Sequence, residues 1–201
     1  MGKKALSSRE PWQPYGGQKA EKAEYNFLDV FSDYFQNEDN KDFEVKRHPR
    51  EFRDIYSGVK LPEDIVKRIY SPDEKWIHGI IPDFSIHNKR SRKTIYVEVK
   101  RQDGWVEGKE RKAGRGNAHE RSCKLFTPGL LKVMRDHGNI QAPELPFWVV
   151  FEGDIARDPK RVRELYFWYT GVEGHFFLWT DLSDKEALIK HFEKHIKILL
   201  V

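Results

Sequence analysis

At 201 residues, with a formal net charge of +4, 34% charged and 13% aromatic residues, the chain is long enough for one well-buried core and is neither a polycationic tail nor a disordered chain. Its one cysteine, Cys123, excludes an internal disulfide and makes a reducing compartment the simplest setting. No apolar leader core follows Met1-Gly2-Lys3-Lys4, and the longest apolar runs fall far short of the roughly 20 residues that span a bilayer, so a cytoplasmic protein with no membrane partner is expected.

Residues 1–18 hold Pro11, Pro14, Gly16 and Gly17 with little periodicity, which predicts an extended or mobile N-terminal arm. Over 21–36 the apolar residues Phe27, Leu28, Phe31, Tyr34 and Phe35 recur at helical spacing between acidic ones, an amphipathic helix. A strand follows at 43–47, and Pro62 opens a short helix predicted over 61–70. Strand signals rich in β-branched and aromatic residues occupy 79–87, 94–101, 146–152 and 175–180. Helices are expected at 117–126, 129–136, 159–169 and 183–199. On the last of these, His191 and His195 read as an exposed polar pair. Interleaved strands and helices predict an α/β fold, a central mixed β-sheet flanked by helices on both faces, within a single domain over 1–201. Leu125, Leu130, Leu131, Val133 and Met134 are candidates for an intersubunit face, with core packing as their more common fate.

Within the predicted sheet, residues two apart point to the same side, so Glu98 and Lys100 share one face while Ile95, Val97 and Val99 point to the other. A hairpin through 88–93 would bring Asp83 of Pro82-Asp83 beside Glu98. Two carboxylates held close form an oxygen-ligand site suited to Mg²⁺, which keeps several waters and accepts a phosphate oxygen. A nearby lysine ammonium would stabilise charge building on a phosphorane, or orient or deprotonate a water. The bland alternative is a salt-bridged surface hairpin. Two decoys counsel that weighing, because Glu44-Val45-Lys46 repeats the tripeptide without an upstream Pro-Asp, and Pro72-Asp73 is turn-like.

Between residues 109 and 124 the basic residues Lys109, Arg111, Lys112, Arg115, Arg121 and Lys124 face only Glu110 and Glu120, a footprint for a polyanion. Gly114, Gly116 and Ala118 keep the backbone small enough to approach phosphates or a groove floor. Asn117, His119, Glu120 and Arg121 then supply both donors and acceptors, the mixture that reads base edges. The structural alternative is that Asn117 and Glu120, at capping-box spacing, simply start a helix. Lys89, Arg90, Lys109, Arg111, Lys112 and Lys124 are the candidate contacts to a nucleic-acid backbone.

Pro82-Asp83, Glu98-Val99-Lys100 and Gly116-Asn117-Ala118-His119-Glu120-Arg121 together resemble the type II restriction endonucleases of the PD-(D/E)xK superfamily, in particular the EcoRI-like branch. In that branch a near-identical glycine, asparagine, alanine, hydrophobic, glutamate, arginine hexad reads a central AATT, and His119 departs from it at the fourth place. The resemblance rests on the stretch from Pro82 to Arg121 and implies a restriction-endonuclease-like fold. It assigns Asp83 and Glu98, with the Val99 carbonyl, to Mg²⁺, and Lys100 to the attacking water and scissile phosphate. It assigns Gly116, Asn117, Ala118, His119, Glu120 and Arg121 to the bases. Arg115 is the candidate for an outer guanine, because a bidentate arginine is the commonest guanine reader.

The resemblance further implies double-stranded DNA cut at C/AATTG, leaving 5′-phosphate ends with a four-base 5′ overhang. A palindrome is most simply read by a homodimer, and a cognate DNA methyltransferase would belong to the same restriction-modification system. Two rivals remain at this level, a structure-directed or repair nuclease with the same catalytic core and a non-catalytic DNA-binding protein in which Asp83, Glu98 and Lys100 form a salt-bridge network.

Overall fold

The computed structural model describes residues 12–71, 77–103 and 118–201, with side chains from residue 21 onward. Helix α1 (Trp12–Tyr34) begins earlier than composition predicts. Residues 12–18, expected as an extended arm, are helical instead. Pro14 lies in the first turn, where a missing amide hydrogen breaks no intrahelical bond, and the Gly16-Gly17 pair is carried by the amphipathic stretch that follows. That stretch buries Ala23, Phe27, Val30 and Phe31 along one stripe, with Phe27 against Phe84 at 4.9 Å and Trp148 at 5.7 Å between ring centroids. Each such aromatic, fully buried, contributes about 1.5–3 kcal/mol.

One five-stranded sheet forms the middle layer, in the order β1 (Phe43–Arg47), β2 (Phe84–Asn88), β3 (Lys93–Arg101), β4 (Phe147–Glu152), β5 (Phe176–Trp179). The first three strands are antiparallel, and β4 and β5 add in parallel, which makes the sheet mixed as expected. Strand β2 starts later than predicted. Pro82 has no amide hydrogen to extend a ladder, and residues 79–81 instead lie against the 50–56 loop, where the Ile80 amide donates to the Phe52 carbonyl at 3.0 Å. Helix α2 (Glu63–Val66) is a single turn in place of the longer helix expected over 61–70; none of it is buried, so no packing holds it open.

Helices cover both faces. On one, α1 packs with α5 (Lys185–His191), a π-helical turn Phe192–Ile196 and α6 (Lys197–Leu200), whose Leu188, Phe192, Ile196 and Leu200 line the core with Ile95, Val97 and Val99. On the other, a 3-10 helix Glu120–Phe126, α3 (Pro128–Gly138) and α4 (Pro159–Trp168) enclose Tyr96, Phe147, Val149 and Phe151. Leu125, Leu130 and Met134, weighed above as an intersubunit face, are buried in this second core, and Leu131 and Val133 pack against it. The strands alternate between two apolar faces, so β4 reads as a continuous hydrophobic run from Phe147 to Phe151.

The C-terminal histidines correct another expectation. His191 stacks on Trp148 at 5.7 Å and its Nε2 lies 2.9 Å from the Gly174 carbonyl, while His195 sits 4.7 Å from it, ring to ring. Both flank the Leu188–Phe192–Ile196 row by one position, which turns them inward. Burial pushes the His191 imidazole down to about 4.

Candidate active site

The antiparallel register pairs Phe84 with Val97, so the chain entering β2 carries Asp83 opposite Glu98 at the far end of the hairpin. Pro82 is buried and the Asp83 carbonyl accepts from the His48 amide at 2.9 Å, which fixes the approach. Asp83 Oδ2 accepts from the Val99 amide at 2.7 Å and from Lys100 Nζ at 3.2 Å. Lys100 Nζ also donates to Glu98 Oε2. Two carboxylates therefore converge on one ammonium, on the face expected from the alternation.

Burial decides the electrostatics. The side chains of Lys100, Asp83 and Glu98 are 18%, 18% and 5% exposed. This is not the solvated ion pair of an ordinary surface hairpin. Burial raises the Glu98 carboxyl above its ordinary value, against the opposing charge of Lys100 and with the repulsion of Asp83; Lys124 is near enough to favour the ionised form. Burial alone would lower the Lys100 ammonium, but Glu98 and Asp83 outweigh it and hold the group above its ordinary value, charged at neutral pH.

A divalent cation fits this donor set. Both carboxylates already direct oxygens at one positive group. That suits a hard ion such as Mg²⁺, which takes one or two carboxylates and fills its remaining positions with water and phosphate oxygens.

The segment after residue 117 is positioned by buried anchors. His119, expected to read bases, does not present its ring: it is fully buried, stacked on Trp168 at 5.3 Å, with Nε2 2.9 Å from Glu164. Burial lowers its pKa, helped by Arg161 and opposed by Glu164. Packed on the apolar Trp168 face, the His119 ring takes the place a hydrophobic residue would fill. Ser122 and Leu125 are buried beside it, which turns Glu120, Arg121 and Lys124 outward from the 3-10 helix. Arg115, Gly116, Asn117, Lys109, Arg111 and Lys112 lie outside the described residues.

Lys89 and Arg90 are not brought to the site. They occupy the turn at the opposite end of the β2–β3 hairpin and pair with Glu44 at 3.8 Å and Asp42 at 2.6 Å. Sequence reasoning overlooked Gln102, whose Oε1 accepts from the Ala118 amide at 3.4 Å and so ties the start of the 3-10 segment to the end of β3. The signal was available, since Gln102 continues the Glu98, Lys100 same-face alternation.

A family model described as type II restriction enzyme MunI matches residues 1–201. A curated protein from a Mycoplasma species, type II restriction enzyme MunI, is 49% identical over 203 residues, covering 98% of each chain. Among solved structures, the crystal structure of MunI restriction endonuclease in complex with cognate DNA matches with a TM-score of 0.79 at 47% identity, over 95% of this chain and 98% of that one.

Proposed function

The chain belongs to the MunI family of type II restriction enzymes, and from that premise we propose that the Asp83, Glu98 and Lys100 corner is its phosphodiesterase centre, with Mg²⁺ as cofactor. The observation that carries the reading is the convergence of those three side chains at the end of β3 in a chain of this family. Asp83 and Glu98 are the carboxylates that hold the metal. The Val99 carbonyl joins them as a candidate, because in an extended strand it faces the same edge as the amide that binds Asp83. Bound there, Mg²⁺ supplies Lewis-acid polarisation of the phosphate and activation of a water. Lys100, charged and anchored by both carboxylates, stands where negative charge builds on the phosphorane and stabilises it.

The substrate is double-stranded DNA at a palindrome with an AATT core, C/AATTG in full, cut to leave 5′-phosphates and a four-base 5′ overhang. Ala118, Glu120 and Arg121, with Arg115, Gly116 and Asn117 upstream, are the base-reading set. Glu120 and Arg121 support this by their outward orientation, and Lys124 by its charge near Glu98. A homodimer of single-domain subunits would place one such segment on each half-site, and a methyltransferase of the same specificity would protect the host DNA.

The test is a long DNA of known sequence incubated with the protein, with Mg²⁺ and with chelator, every end being mapped. Discrete Mg²⁺-dependent ends at C/AATTG are expected. Random or structure-dependent ends would replace the sequence-specific reading with a repair-type nuclease, and binding without cleavage would overturn the catalytic reading.

A further inference from the structure

The chain approaching Asp83 builds a second, basic feature beside the proposed catalytic corner. Residues 77–81 run against the 50–56 loop, with the Ile80 amide donating to the Phe52 carbonyl and the Tyr56 amide to the His78 carbonyl, both at 3.0 Å. Gly79 permits this approach, because a Cβ there would collide with the Phe52 carbonyl oxygen. Phe52 and Ile80 are buried beneath as anchors. Above them an open groove of about 380 Å³ is lined, among the described residues, by Arg50, Arg53, Ile77, His78, Gly79 and Ile81, none of them a carboxylate.

The two arginines stand apart from their basic neighbours. Lys46 is paired with Glu51 at 3.6 Å, and Arg47 and His48 share Glu24 at 2.9 and 3.0 Å. Among the described residues, Arg50 and Arg53 have no carboxylate within ion-pair distance, and both are exposed. Two exposed guanidinium groups that have no carboxylate partner among the described residues suit a phosphate, which accepts the planar fork.

We propose that this groove holds backbone phosphates of the cleaved DNA strand flanking the scissile one, with Arg50 and Arg53 as the donors. The inference rests on the reading that the Asp83 corner receives the scissile phosphate. Ile81 lies two residues before Asp83, within about 7 Å along an extended chain. Each nucleotide advances a strand about 3.4 Å along the helix axis, so phosphates one to a few steps from the cut fall within reach of the groove. These contacts carry no base information; they hold the strand in register over the catalytic side chains.

The experiment measures binding of the full-length protein to a long duplex containing C/AATTG, in Ca²⁺, as a function of salt. Arg50→Ala and Arg53→Ala should each reduce the steepness of log K against log salt by about 0.9, and the double variant by about twice that. The ratio of cognate to unrelated affinity should stay unchanged, and Arg50→Lys with Arg53→Lys should restore the slope. Duplexes trimmed close to the site should bind wild type and the double variant alike. An unchanged slope and affinity in a double variant with wild-type melting behaviour would overturn the proposal. So would loss of discrimination at an unchanged slope, which would make the arginines base readers. If wild-type protein binds and cuts the duplex normally, such results count against the groove alone; if wild type does neither, the underlying functional reading fails.

Discussion

Two charge clusters stand back to back at the end of β3. On one face Lys100 holds Asp83 and Glu98; on the other Arg101 holds Asp103 and Glu152. They are matched in burial: the cations are 18% and 19% exposed, the strand glutamates 5% and 0%, and the aspartates 18% and 20%. Burial raises both glutamates above their ordinary values. Burial, charge and a shifted pKa therefore do not distinguish the proposed catalytic cluster from its neighbour. The cation and the surroundings do. Arg101 is a fixed fork beneath α1, with Asn26 also reaching Glu152 at 3.5 Å and the left-handed Gly153 closing over Asp103. Lys100 is a single-point ammonium that can share its carboxylates with a metal, and Lys124 lies near enough to act on the charge of Glu98.

The largest effects are expected on the Lys100 side. Asp83→Ala or Glu98→Ala should lower single-turnover cleavage, per folded molecule, by about a thousandfold or more, the scale of removing a preorganised electrostatic element, while the fold and duplex binding persist. Near-normal cleavage by either variant would show that the corner is not catalytic. On the Arg101 side the loss should be in stability. Arg101→Ala should cost about 3 kcal/mol, as when one partner of a buried pair is removed, seen as a lower urea midpoint with cleavage per folded molecule retained.

Exchanging the cations sharpens the contrast. Lys100→Arg should clamp both carboxylates in a fork and misplace the charge, lowering the cleavage rate by about a hundredfold. Arg101→Lys should lose the fork alone, at about 1 kcal/mol of stability and no change in rate. A comparable rate loss in both would show that the two clusters do not differ in role.

The smallest effect is the response to pH. A carboxyl whose pKa is raised keeps its proton to higher pH, and metal binds only the ionised form. At subsaturating Mg²⁺, cleavage should fall as pH drops through a range above that of an ordinary glutamate, and more Mg²⁺ should move the fall to lower pH. In metal-free protein the same shift works on stability. The contribution of Glu98 is fully present below its unfolded value and is lost as pH rises through its folded one, so Glu98→Gln should gain stability over wild type on going to neutral pH. A pH-independent difference between the two melting temperatures would contradict that assignment.

The contrast also shows what the sequence could and could not convey. Asp83, Glu98 and Lys100 were legible because a short hairpin and two-residue alternation determine which side chains meet. Arg101 with Glu152 was not, since β4 arrives in parallel after a long crossover and nothing local records its register. His119 was read by its chemistry as a base contact, but Trp168 and Glu164, far along the chain, turn it inward. The start of α1 was obscured by Pro14, which breaks a helix only where its missing amide hydrogen is needed, and by the glycine pair, whose backbone-entropy cost of about 1 kcal/mol each the packed stretch that follows offsets. Arg50 and Arg53 carry no motif at all; their groove exists only because Gly79 lets two separate segments close together.

The most direct measurement is the single-turnover cleavage rate, per folded molecule at saturating Mg²⁺, of the isosteric pair Glu98→Gln and Glu152→Gln on one duplex. The account predicts a loss of about a thousandfold for Glu98→Gln and a rate near that of wild type for Glu152→Gln. Equal rates in the two variants, or a larger loss at Glu152, would contradict it.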